Sequence, residues 1–134
     1  MNIFAEDLEK GRAFLPGLFK FDEDQPFKQA LLVINETALF VYNDHEPDAI
    51  VEDDWNYNVK LRVSLDEIKD VTNEIILKQP DLEGLNRLAI NVAGEKEPLY
   101  FYYFIGNKKV ANNFMAGLKY YGVPIQNRRV ELVS

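Results

Sequence analysis

Cysteine is absent from the 134 residues, histidine occurs once, and Ser64 and Ser134 are the only serines. Without cysteine there can be no disulfides, thiolate metal sites or cysteine nucleophiles, which fits a reducing compartment. A Ser-His-acid triad would have to join Ser64 to His45, and Ser64 reads as the end of a strand. No apolar run approaches the roughly 18 residues of a membrane span. The opening "MNIFAEDLEKG" places acids where a signal peptide needs a basic start, so a soluble, cytoplasmic protein is expected. Basic charge is also scarce: 15 Lys and Arg against 22 Asp and Glu give a net charge of -7. The average field therefore repels nucleic acid and anionic membranes. Lys108-Lys109 and Arg128-Arg129 are only pairs, so neither nucleic acid nor a phosphoinositide membrane is expected as a partner.

What is present is the composition of one globular domain, 47% hydrophobic and 28% charged. At this length folding removes about two-thirds of the unfolded chain's surface from water. Residues 1-134 are read as one domain with its core over about 17-122, an N-terminal helical extension and a C-terminal tail. "FKQALLVINETALFVYND" reads as a hairpin of two strands, about Phe27 to Ile34 and Ala38 to Asn43, around the turn Asn35-Glu36-Thr37. The sequon "NET" is then a turn. "NVKLRVS" alternates, with Val59, Leu61 and Val63 on one face. The three-residue step from Ile68 to Val71 marks a tight turn or bulge. "LNRLAINV" and "LYFYYFI" form a second hairpin across "AGEKEP". A helix is expected next, N-capped by Asn107 and stopped at Gly122-Val123-Pro124, with Val110, Phe114, Leu118 and Tyr121 on its buried stripe. "VPIQNRRVELV" offers a further strand.

The aromatic run Tyr100 to Phe104 can be a base-stacking platform, a pocket lining or a buried strand. "PLYFYYFI" lacks the glycines and cation of an RNA-binding strand, and the buried strand is preferred. Leu99, Phe101, Tyr103 and Ile105 then face the core. The other face, Tyr100, Tyr102 and Phe104, needs a cover. Phe4, Leu8, Phe14 and Leu15, or Ile125, Val130 and Leu132, can supply it within the chain; a second subunit can supply it between chains.

Strands followed by one amphipathic helix, with the patterns "ALLVINETALFVYN", "VSLDEIKDVTNEI" and "NKKVANNFMAGLKYY", resemble the bacterial pleckstrin-homology-like and GRAM-related families from about Gly17 to Gly122. The resemblance implies a mainly β fold, a strongly bent antiparallel sheet or partly open barrel of six to seven strands, capped by a C-terminal helix. Lipocalin-like and cystatin-like arrangements compete with it. Phosphoinositide-binding members carry several cations around the first hairpin turn. Here the corresponding turn reads as "INETA", with Lys28 the only base between Phe27 and Asn43, which favours members that bind proteins or peptides.

The densest charge is the segment "NDHEPDAIVEDDWN". Asp44, Glu46 and Asp48 imitate the opening of a calcium loop, but Ala49 replaces the required Gly and Trp55 the bidentate Glu. No metal or cofactor is expected. Asp44, His45, Glu46, Asp53, Asp54, Trp55 and Tyr57 are instead the candidate partner-binding residues, a ring among acids suited to a basic protein or peptide. The function expected is a non-enzymatic binding or scaffold domain. The alternative is a small enzyme or ligand carrier with a pocket inside the curved sheet.

Overall fold

Asn35 makes the turn its sequence announces: its side-chain Oδ1 accepts hydrogen bonds from the Thr37 amide and hydroxyl at 2.8 Å and from the Ala38 amide at 3.0 Å. The strands it joins are β2 (Lys28–Ile34) and β3 (Ala38–Tyr42). The computed structural model describes residues 13-20, 24, 26-42, 59-77 and 84-131. Six further strands are seen: β1 (Ala13–Phe19), β4 (Val59–Ser64), β5 (Ile68–Leu77), β6 (Leu85–Val92), β7 (Leu99–Phe104) and β8 (Ile125–Glu131). The one α-helix among the described residues, α1 (Lys108–Tyr120), lies between β7 and β8.

The strands form one open mixed sheet in the order β4-β3-β2-β1-β7-β6-β5-β8. Every pairing is antiparallel except β5 with β8. The expected class, mainly β with a C-terminal helix, is the one observed. The described strands number eight, not six or seven, and the last is parallel. α1 returns the chain to the end of the sheet where β7 began, so the next strand runs the same way as β7 and β5. β1 rather than "INETA" also opens the hairpin order: β1 pairs with β2, and the first connection is flanked by Lys20 and Lys28.

The bulge anticipated before Val71 is present. A 3-10 turn, Leu65–Glu67, enters β5, and its pairing with β6 slips between Ile68 and Asp70. Ser64 ends β4, as expected. The two halves of the sheet meet where Leu18 faces Tyr102. Gly17 permits this approach, since a Cβ there would stand 2.0 Å from the Tyr102 carbonyl oxygen.

The main core lies on the concave side: Leu15, Leu32, Ile34, Leu88, Phe101, Tyr103, Phe114 and Leu118 are all closed to solvent. α1 covers it, packing chiefly on β1 and touching β2, β7 and β8. Its buried stripe is Ala111, Phe114, Met115 and Leu118. Val110, expected in that stripe, is exposed, and so is Ile105, which leaves β7 for a 3-10 turn over Ile105–Asn107. Asn107 stands at the N-cap without a side-chain capping bond. At the other end Gly122 adopts φ 86°, its amide donates to Lys119, and the Val123 amide donates to Leu118. That pairing is a Schellman close. Val33, Ala38, Phe40 and Tyr42 form a smaller cluster on the opposite face of β2 and β3, with Phe14 and Leu31 packed on it.

Candidate functional site

Alternation along β5, β6, β7 and β8 brings one residue from each to the outer face in a single row. The pairings Glu74↔Arg128, Glu74↔Arg87, Arg87↔Tyr102 and Leu18↔Tyr102 extend that row from β8 to β1. Glu74 is 1% exposed. Arg87 Nε donates to its Oε1 at 2.5 Å, and Arg128 pairs with its Oε2. Both carboxylate oxygens are thus held by guanidinium groups, the arrangement a buried charge requires. Arg87 Nη1 also donates to the Tyr102 hydroxyl at 3.0 Å, and its Cζ lies 3.9 Å from the Tyr100 ring centroid. Burial opposes the Arg87 charge, but the hydrogen bonds to Tyr102 and Glu74 and the charge of the Glu74 carboxylate outweigh it and lift the pKa above the ordinary arginine value.

This row fixes two tyrosines beside a groove. Phe19, Phe27, Pro98, Leu99, Tyr100 and Tyr102 line a recess of about 270 Å³, with Lys20 and Glu97 at its rim. Phe27 meets Tyr102 edge-on at 5.0 Å between centroids, and Lys20 Nζ lies 5.8 Å above the Phe27 ring. One face of Tyr100 is occupied by Arg87, so the ring is held in place before any ligand arrives.

Beyond the row, polar pairs stitch β8 to β5. Gln126 donates to Thr72 at 3.2 Å, and Asn73 donates to Asn127 at 3.0 Å. Asn73 also accepts from the Tyr103 hydroxyl at 2.6 Å. Burial pushes the Tyr103 phenol up from its usual pKa, against the opposing hydrogen bonds of Asn86 and Asn73.

The sequence-predicted partner residues Asp44, His45, Glu46, Asp53, Asp54, Trp55 and Tyr57 lie outside the described residues, on the connection from β3 to β4. So does the N-terminal helical extension. The proposed cover is resolved in part: Tyr102 is buried under Phe27 and beside Arg87, Tyr100 is half-buried, and Phe104 is exposed. Leu15 is no part of that cover, because it points into the main core. Among the described residues no three His, Asp or Glu side chains are grouped to hold a metal ion.

Glu74 and Arg87 were missed by sequence reasoning, as were Lys20 and Phe27. The available signal was one isolated charge of opposite sign in each of two neighbouring apolar strands, "VTNEIIL" and "LNRLAINV". Opposed ions on paired strands belong across from one another once register is known.

Comparison with protein-family models and with curated sequences returns no match. Among solved structures, the chain is similar to the hSac2 domain from human phosphoinositide phosphatase Sac2, at 12% identity and a TM-score of 0.52. The match covers 93% of this chain and 79% of that one. A likeness at this identity concerns the fold alone.

Proposed function

We propose that this protein is a pleckstrin-homology-like binding module without catalytic activity, and that its ligand is a basic segment of another protein. The observation that carries the reading is the groove of Phe27, Tyr100 and Tyr102, whose two tyrosines are held by Arg87 and its buried partner Glu74. Rigid aromatic rings in an open apolar recess suit an extended chain, which gains contact area while the rings lose little freedom. The rim charges Lys20 and Glu97 offset each other, and the acidic excess over the whole chain favours a basic segment. The segment from Asp44 to Tyr57, with six acids between Asn43 and Asn56, adds steering charge to the same molecule. A membership in the bacterial pleckstrin-homology-like group fits the strand order followed by the helix.

The carrier alternative is less well supported. Three recesses lined by described residues are open and hold about 200 to 270 Å³, below the roughly 300 Å³ at which sites for drug-sized ligands begin.

The test selects phage-displayed random peptides on the purified protein and titrates the enriched peptides by calorimetry. Enrichment of Lys- or Arg-bearing sequences is expected, with affinity reduced about tenfold or more by Tyr100→Ala or Phe27→Ala. Trp55→Ala should raise the off-rate, and Asp53→Asn with Asp54→Asn should slow association at low salt. Peptides that bind every variant alike would place the site elsewhere.

A further inference from the structure

Five large apolar side chains are markedly exposed among the described residues, and three of them fall within seven consecutive positions. Phe104 is 48% exposed, Ile105 46% and Val110 38%. They flank the corner at which β7 ends, the chain makes its 3-10 turn, and α1 begins. The Ile105 amide donates to the Gly84 carbonyl at 2.8 Å, so this corner is tied to the connection that enters β6. Lys108 and Lys109 lie between the apolar residues, both exposed, and no ion pair engages them among the described residues. The stretch "FIGNKKV" carries two bases and no acid.

We propose that this corner is a docking surface for an anionic lipid bilayer. Exposed apolar side chains immediately beside unpaired lysines match the boundary between acyl chains and acidic headgroups. Phe104, Ile105 and Val110 enter the apolar side of that boundary, while the lysine stems lie along it and carry their charges to the headgroups. Charge complementarity selects acidic lipid over neutral lipid. The acid excess elsewhere repels the same surface, so the molecule is oriented with this corner foremost. Attachment by one such patch is weak and reversible. The sequence-based expectation of no membrane binding weighed Lys108-Lys109 as an isolated pair; the fold adds three exposed apolar neighbours to it. This surface is separate from the aromatic groove.

Co-sedimentation of the full chain with vesicles of phosphatidylcholine alone, and with phosphatidylserine added, tests the proposal. Partition onto the serine-containing vesicles is expected to exceed that onto neutral ones by about tenfold or more and to fall as salt is raised. Lys108→Glu with Lys109→Glu should remove it, and Phe104→Ser with Ile105→Ser should lower it about tenfold or more. All four side chains are exposed, and thermal melts of both double variants should match the wild type. Phe27→Ser in the groove should leave partition unchanged, so the two readings stand or fall separately. Equal partition onto neutral vesicles, insensitivity to either double variant, or absence of binding would overturn the proposal. It would equally be overturned if Phe104→Ser with Ile105→Ser converted a dimer to a monomer in analytical ultracentrifugation, because the corner would then belong to a second copy.

Discussion

The concave and outer faces of β5, β6 and β7 are both withdrawn from water, but by different means. On the concave face Val71, Leu88, Ile90 and Phe101 meet the apolar stripe of α1 and neighbouring strands. On the outer face Thr72, Glu74, Arg87 and Tyr102 are also buried; Arg87 bonds both Glu74 and Tyr102, and Thr72 accepts from Gln126 of β8. Apolar packing tolerates exchange of one hydrophobe for another of similar volume. A buried ionic row does not, because removing one member leaves a buried charge short of a partner. The first kind of face supplies stability, and the second holds the groove's rings in one position.

The largest expected effect probes the concave face. Phe114→Ala should cost about 3 to 5 kcal/mol, since a fully buried ring would leave a cavity beneath α1. Urea denaturation measures it, and a loss below about 1 kcal/mol would mean that the helix stripe does not close the core. Next in size, Arg87→Ala should cost about 3 kcal/mol by leaving Glu74 with Arg128 alone, itself 61% exposed at the side chain. Pairing Arg87→Met with Glu74→Leu should recover much of that loss while weakening peptide capture in the groove. If the double variant is no better than the single one, the row is not an isolated ionic unit and the contrast between faces fails.

Tyr103→Phe sharpens the contrast from the concave side, where a polar group intrudes on an apolar layer. Loss of its bond to Asn73 should cost about 1 kcal/mol at neutral pH. Because burial raises the folded-state pKa, the neutral phenol is favoured in the folded protein. Its stabilising contribution is complete below the unfolded value near pH 10 and is lost as pH rises through the folded value. The stability gap between wild type and Tyr103→Phe should therefore narrow above about pH 10 in denaturation series. The smallest effect is Arg128→Ala, below about 1 kcal/mol, since its guanidinium is largely solvated and Arg87 remains on Glu74. A loss as large as that for Arg87→Ala would show that the outer end of the row is as critical as its centre.

Much of the concave face was legible in the sequence, because burial on one side of a strand or helix leaves a period. Leu88, Ile90 and Val92 alternate, Phe114 and Leu118 recur one turn apart, and the Asn35 turn and Gly122 stop are marked by residue type. Ile105 misled because periodicity continues past the point where β7 ends at Phe104 and the 3-10 turn begins; Val110 misled because the helix turns Ala111 rather than Val110 to the core. The outer row left no periodic trace. Glu74, Arg87 and Arg128 are far apart in the chain, and their meeting depends on two registers, one of them across a parallel pairing that composition does not announce. Sequence reasoning therefore looked to the densest charge, Asp44 to Tyr57, whereas the described groove uses single charges and scattered rings.

The parallel pairing of β8 has a consequence for biosynthesis. Thr72 and Gln126, or Asn73 and Asn127, are joined across 54 residues. During synthesis from the N-terminus, β5 and β6 are complete while β8 is still inside the ribosome. Until α1 has docked and Ile125 to Glu131 have emerged, the far edge of β5 presents unpaired amides and carbonyls along "VTNEIIL". A bare edge of that kind recruits strands from neighbouring chains. The polar, arginine-bearing β8 that finally seals it replaces an adhesive border with a charged one, so the interval before it arrives is the stage of the chain's life most exposed to aggregation.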